Sequence, residues 1–299
     1  MKKFGMTGAA GYIAPRHLKA INDTENILVA AADPHDSVGI LDQYFPEAAF
    51  FTEIERFDRH LDKLRNTGEG IDYLTICSPN HLHDSHIRLA LRNGAHAICE
   101  KPLVLNSWNL DLLEKLEEEY GKKIYTILQL RVHPALIALK EKLKTQNSKF
   151  KTKHKVLLTY ITSRGAWYNY SWKGNEQKSG GLVTNIGIHL FDLMIWFFGK
   201  PINIEVHEKT LIKANGELEL ENALVNWNLS IDKNDLPDEY KVQNKRTFRS
   251  IKIDENEIEF SEGFTDLHTK IYAEILDGKG LGINDARASI ELVQKIRAM

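Results

Sequence analysis

The chain has 299 residues and a mass of 34.2 kDa, of which 42% are hydrophobic, 27% charged and 9% aromatic. These are the proportions of a globular chain, and they exclude intrinsic disorder and collagen-like or low-complexity sequence. Thirty-nine basic residues against 41 acidic ones leave a formal charge of −2, without the basic excess of a nucleic-acid binder. At roughly 100–200 residues per domain, two domains are expected. Cys77 and Cys99 are the two cysteines, so there is no disulfide framework; buried, reduced thiols and a cytoplasmic setting are expected. The strongest apolar stretch, Leu190 to Phe198, is broken by Asp192 and falls short of the ~20 residues of a membrane helix. The N-terminal FGMTGAAGYIA is too short and glycine-broken for a secretory signal.

In chain order, Lys3–Thr7 reads as a strand running into glycines, Ala14–Ile21 as a helix and Ile27–Ala32 as a strand ending at Asp33. A helix around Leu61–Leu64 and a strand Ile71–Cys77 follow, then a helix Ser85–Arg92 stopping at Asn93-Gly94. A strand Ala95–Cys99, a helix Ser107–Glu119 and a strand Ile124–Leu130 complete an alternation that predicts a parallel sheet with helices on both faces. After Pro134 come a helix Ala135–Leu143 and a connection with seven lysines and one glutamate between Lys140 and Lys155, read as a solvated helix end and loop. Strands are expected at Val156–Ile161, Ile204–Ile212, Glu217–Ile231, Thr247–Ile253 and Glu257–Phe260, with Asn215-Gly216 as a hairpin turn, and helices at His268–Leu276 and Asp285–Arg297. The fold class is α/β: a Rossmann dinucleotide-binding domain over residues 1–125, then an α+β domain over 126–299 with a largely antiparallel, open-faced sheet.

Gly8-Ala9-Ala10-Gly11-Tyr12-Ile13-Ala14 joins the first strand to the first helix. Glycines there permit a tight turn, and the helix N-terminus offers N–H groups to a pyrophosphate. Asp33, 25 residues after Gly8, has the placing of the acid that binds the adenosine ribose. Pro34 and His35 follow it with no arginine for a 2′-phosphate, which favours NAD over NADP. In open α/β sheets ligands bind beyond the carboxyl ends of strands, so Ser78-Pro79-Asn80 with His83, and Glu100-Lys101-Pro102, are expected to reach the cofactor. By chemistry alone, Lys101 is either an exposed loop cation or a lysine tuned for proton transfer. His81, His83 and His86 could suggest a metal site, but no thiolate or carboxylate cluster completes one, so none is expected. His17 reads as a packed helix residue.

With its glycine loop and Asp33, Glu100-Lys101-Pro102, and Gly180-Gly181 running to Asn185-Ile186-Gly187-Ile188-His189 and Asp192, the chain resembles the Gfo/Idh/MocA oxidoreductase family over both domains. The resemblance implies that Lys101 contacts nicotinamide and substrate hydroxyl and that His189 takes the substrate proton as hydride leaves the same carbon. Many members have aspartate where this chain has Asn185; a neutral amide cannot support the histidine by charge, so Asn185 is expected to position substrate. Residues 10–17, 127–134, 164–168 and 171–181 further resemble the sugar-nucleotide branch, the UDP-N-acetylglucosaminuronate 3-dehydrogenases of bacterial surface-polysaccharide (O-antigen) synthesis. That resemblance implies a UDP-linked uronic acid as substrate, oriented by Arg131 and the segment carrying Arg164, Trp167, Tyr168, Trp172, Lys173 and Lys178. It also implies reoxidation of NADH in place by a 2-oxoacid such as 2-oxoglutarate, and a homodimer or homotetramer. Two alternatives stand beside it: a family dehydrogenase of a free sugar or inositol, and a non-catalytic NAD-sensing regulator.

Overall fold

The computed structural model describes residues 1–147, 153–258 and 266–299. In chain order the elements are β1 (Lys3–Thr7), α1 (Ala14–Asp23), β2 (Ile27–Ala32), α2 (Ile40–Tyr44), β3 (Ala49–Phe51), α3 (Ile54–Asn66), β4 (Tyr73–Ile76), α4 (His83–Arg92), β5 (His96–Cys99), α5 (Trp108–Tyr120) and β6 (Ile124–Thr126). They continue with α6 (Pro134–Asn147), β7 (His154–Thr162), α7 (Trp167–Tyr170), α8 (Glu176–Ser179), α9 (Ile188–Phe198), β8 (Pro201–Lys209), β9 (Lys213–Leu220) and β10 (Ala223–Ser230). The last are α10 (Asp238–Val242), β11 (Thr247–Ile253), β12 (Asn256–Glu257), α11 (Leu267–Leu276) and α12 (Ile283–Ala298). Part of the lysine-rich connection and half of the expected Glu257–Phe260 strand, residues 259–260, lie outside the described residues.

The chain forms two units, residues 1–129 with 266–287 and residues 130–265 with 288–299. Where the sequence placed a single division after residue 125, α11 folds back onto the first unit and packs against α1. The first unit is a six-stranded parallel sheet of order β3-β2-β1-β4-β5-β6. The order reverses between β1 and β4, where such sheets open a crevice for a dinucleotide. β4 is buried at every residue, as a strand covered by helices on both faces must be. α1 buries Ala14, His17, Leu18 and Ile21, the i, i+3, i+4, i+7 stripe of a helix packed on a sheet. The expected strand to Leu130 ends at Thr126, and Gln129–Val132 is a 3₁₀ turn.

The second unit is built on a six-stranded sheet of order β12-β11-β7-β10-β9-β8, in which β7 and β10 run parallel and the other pairings are antiparallel. Asn215-Gly216 is not the turn it was expected to be: both lie within β9, and the chain reverses at Glu221-Asn222 instead. Glycine is required there for space, since a Cβ on Gly216 would come within 2.0 Å of the Glu205 carbonyl oxygen and 3.0 Å of the Trp227 ring. Trp227 is buried and meets Phe191 of α9 edge-on, with centroids 5.3 Å apart. Residues 176–198 form a helical run long and apolar enough by composition to cross a membrane, but 78% of its apolar window is buried inside the protein, as in a core helix.

Candidate active site

In the first unit, the predicted cofactor residues converge at the carboxyl ends of β1, β2, β4 and β5. Gly8 has φ +81°, and a Cβ there would lie 2.4 Å from the Cys77 carbonyl carbon and 2.5 Å from the Ser78 nitrogen. The backbone of the glycine loop thus rests directly on the end of β4, and only glycine fits. The Gly8 N–H donates to the Ala32 carbonyl at 2.8 Å, and a Cβ on Gly11 would meet the Gly8 carbonyl oxygen at 3.0 Å. Asp33 closes the turn: it accepts from the Ala10 N–H at 3.0 Å and the His35 N–H at 2.9 Å. Tyr12 is exposed, and Ile13 precedes α1 at its N-cap position with no side chain capping that end. A cradle that only bare backbone can form, a helix start without a side-chain cap and a fixed carboxylate suit NAD. No lysine or arginine follows Asp33 before Arg56, so a 2′-phosphate would meet a carboxylate rather than a cation.

The ends of β4 and β5 are tied together by His83, whose Nδ1 lies 2.7 Å from the Pro102 carbonyl oxygen and whose Nε2 lies 2.9 Å from that of Ser78. The ring is fully enclosed, and burial lowers its pKa. The Ser78 hydroxyl pairs with His86 Nδ1 at 2.9 Å, and Asn80 is buried in the following 3₁₀ turn. Glu100 is buried and accepts the Lys101 N–H at 3.2 Å, while Lys101 itself is half-buried. Lys101 is therefore not an exposed loop cation.

The second unit gathers the rest. Residues 183–187 form a π-helical turn leading into α9, a local irregularity that recurs at functional sites. Within it Asn185 donates from Nδ2 to the Tyr168 hydroxyl at 3.0 Å, leaving the phenol proton to be offered elsewhere. Burial raises the Tyr168 pKa, opposed by the Asn185 bond and the Arg164 charge. The Lys173 ammonium stands 5.4 Å from the Trp167 ring centre and 5.7 Å from that of Trp172. Burial and Arg164 lower the Lys173 pKa. Arg164, Trp167, Tyr168, Trp172, Lys173 and Asn185 thus form one cationic, aromatic-walled cluster, whereas Lys178 is exposed at the end of α8.

His189 is half-buried on the first turn of α9, three residues before Asp192. Arg131, expected to orient substrate, grips Asp192 bidentately, at 2.9 Å from Nε and 2.7 Å from Nη2. A cation at that depth needs a carboxylate, and Asp192 is the partner the fold supplies. Sequence reasoning left His17, His268 and Tyr272 out of the site, although all three touch or adjoin Glu100; helical spacing marked His17 only as an inward-facing residue.

A parallel sheet of this order with a glycine cradle at its switch point defines a dinucleotide-binding fold. The chain belongs to the Gfo/Idh/MocA oxidoreductase family: residues 2–127 match its NAD-binding Rossmann-fold domain and residues 151–230 its C-terminal alpha/beta domain. Among curated relatives, it is 27% identical over 206 residues to glucose-6-phosphate 3-dehydrogenase of Bacillus subtilis and 25% identical over 220 residues to inositol 2-dehydrogenase of Rhizobium meliloti. Those matches take in 66% and 72% of this chain but 53% and 61% of the relatives' own lengths. Among solved structures, it is similar to the WlbA (WbpB) dehydrogenase from Thermus thermophilus in complex with NAD and UDP-GlcNAcA, at 52% identity and a TM-score of 0.96, covering 100% of this chain and 95% of that one. The same enzyme in complex with NAD and alpha-ketoglutarate matches at 53% identity and a TM-score of 0.96, covering 100% and 96%. The WlbA dehydrogenase from Bordetella pertussis, at 19% identity and a TM-score of 0.79 over 99% and 94%, shares the fold.

Proposed function

We propose that this protein oxidises the 3-hydroxyl of UDP-N-acetylglucosaminuronic acid to the 3-keto sugar nucleotide with NAD, in the synthesis of bacterial surface polysaccharide. The observation that carries the reading is 52% identity along the whole chain to a dehydrogenase seen in complex with NAD and UDP-GlcNAcA. The Arg164–Lys173 cluster agrees with it, offering cations to an anionic ligand and flat rings to sugar or uracil.

NAD bound by the glycine loop and Asp33 supplies a hydride acceptor. Lys101 polarises the sugar hydroxyl, His189 accepts its proton and Asn185 with Tyr168 orients the ring. The two electrons of the C3–H bond leave as hydride and the C3–O bond becomes a carbonyl, so this half-reaction frees one proton, the one passed to His189. Arg131 contributes by holding Asp192, and with it α9, in place. A 2-oxoacid, for which 2-oxoglutarate is the proposed case, takes hydride and proton back to give a 2-hydroxyacid; a WlbA complex with alpha-ketoglutarate supports this half. A homodimer or homotetramer that covers the half-exposed Leu157 and Leu224 on the open face of the second sheet belongs to the same proposal.

The curated relatives favour a second reading, oxidation of a free or phosphorylated sugar or an inositol. Steady-state assays with 2-oxoglutarate present separate the two. UDP-N-acetylglucosaminuronate should exceed glucose 6-phosphate and inositol in kcat/KM by at least about a hundredfold, as expected when several charged contacts of roughly 1.5–3 kcal/mol are lost. Preference for an unlinked sugar refutes the proposal.

A further inference from the structure

Buried beneath the end of β5 is a set of side chains that the proposed chemistry does not use. The Nε2 atoms of His17 on α1 and His268 on α11 lie 3.0 and 3.2 Å from the same Glu100 oxygen, Oε1. His17 Nδ1 faces the Tyr272 hydroxyl at 2.8 Å, which in turn meets the Thr75 hydroxyl at 2.8 Å. His17, Thr75 and Tyr272 are fully buried, and His268 nearly so at 4% exposure.

Donor counting orients the chain. If Thr75 donates to Tyr272 and Tyr272 donates to His17 Nδ1, His17 is a neutral ring whose one N–H points at Glu100. Burial lowers the His17 pKa, in agreement. His268 supplies the second N–H to Oε1, and Oε2 receives the main-chain N–H of Lys101 at 3.2 Å. Hydrogen bonds from the two rings hold the carboxyl well below its usual range against the opposing effect of burial.

We propose that His17 and His268 are positioning residues: they hold Glu100 as a carboxylate, which fixes the main chain of Lys101 at the end of β5. They act through Glu100. This also gives residues 266–287 a function, because α11 brings one of the two donors from the far end of the sequence. The proposal rests on Lys101 being catalytic but not on the identity of the sugar. Other titratable groups that feel Glu100 are His83 on α4, the thiols of Cys77 and Cys99 at the strand ends, and the Tyr272 phenol. Burial and the Glu100 charge keep the thiols and the phenol protonated at neutral pH.

Infrared difference spectra of the full chain without substrate, with Glu100→Gln as the blank, test the carboxylate directly. Between pH 6 and 8 the wild type should show no protonated-carboxyl band from Glu100, His268→Leu should show one, and His268→Gln, whose amide reaches as far as Nε2, should not. With sugar nucleotide, His268→Leu should lose roughly ten- to a hundredfold in kcat, the effect of one hydrogen bond to a charge, while KM for NAD stays within about threefold. His268→Gln should recover most of the rate. Glu100 remaining ionised in His268→Leu, or His268→Gln proving as slow as His268→Leu, overturns the proposal. So does one divalent metal per wild-type chain that is lost in His268→Leu, which would make these three residues a metal site. If the wild type instead turns over only an unlinked sugar, the substrate assignment fails while the infrared result still stands.

Discussion

Replacing Asp192 with alanine should lower the melting temperature of the second unit far more than any surface change. The Arg131 and Asp192 side chains are 10% and 2% exposed, and two N–H groups of the guanidinium reach the carboxylate at 2.7 and 2.9 Å. Removing one partner leaves a cation in a site too dry to solvate it, at a cost of about 3–5 kcal/mol. For a unit of this size each kcal/mol moves the midpoint by roughly 2–4 °C, so a fall of about 6–20 °C is expected. Replacing both partners together, Arg131→Met with Asp192→Leu, removes the charge and its counter-charge, and should recover most of the loss. Arg287→Ala provides the surface control: its bond to Asp111 at 2.8 Å is between side chains 27% and 66% exposed, and such pairs contribute about 0–1 kcal/mol. Circular dichroism melts of wild type, Asp192→Ala, the singles Arg131→Met and Asp192→Leu, the double variant and the control make the comparison. A midpoint for Asp192→Ala within about 2 °C of wild type, or a double variant whose loss equals the sum of the singles, would refute burial as the source of the cost. Because Asp192 follows His189 by one helical turn, Asp192→Ala should also lose turnover at temperatures where it is still folded.

Gly8→Ala puts a methyl group 2.4–2.5 Å from the Cys77 and Ser78 backbone at φ +81°, and should cost at least about 1–3 kcal/mol in urea unfolding while weakening NAD binding. Undiminished NAD affinity by fluorescence titration would contradict the cradle. Burial lowers the His86 pKa to about 4 from 6.5, so between those values the unfolded chain binds a proton that the folded chain refuses. The contribution of His86 to stability is complete above pH 6.5 and falls as pH drops, by about 2 kcal/mol at pH 5; His86→Gln should flatten that slope, and an unchanged slope counts against it. Lys101→Ala and His189→Ala should each reduce kcat by about 10²–10⁴-fold, the usual range for proton-transfer groups, with NAD still bound in calorimetry; a loss below tenfold would remove that residue from the chemistry.

Legibility in the sequence followed the range of the physical cause. Strands of the first unit are short apolar runs buried on both faces and its helices carry a 3.6-residue apolar stripe, both set within a few residues of chain, so β1, α1, β2, α4 and β5 were readable to within a residue or two. Gly8, Gly11 and Asp33 were readable because a tight turn after a strand constrains residue type locally. Asn215-Gly216 misled for the complementary reason. Its composition suits a turn, but the space left by Trp227 and the Glu205 carbonyl, contributed by β10 and β8, decided that glycine was needed inside a strand.

The sequence by itself determined which backbone could turn, which faces were apolar and which residue types stood at the strand ends, because each depends on neighbours a few bonds away. Tertiary structure alone decided the rest: that β7 pairs in parallel with β10, that Arg131 is committed to Asp192, and that His268 returns from 168 residues beyond Glu100 to share one oxygen with His17. Burying a charge is costly unless a partner arrives with it, and which distant segment supplies that partner is settled only by how the elements pack.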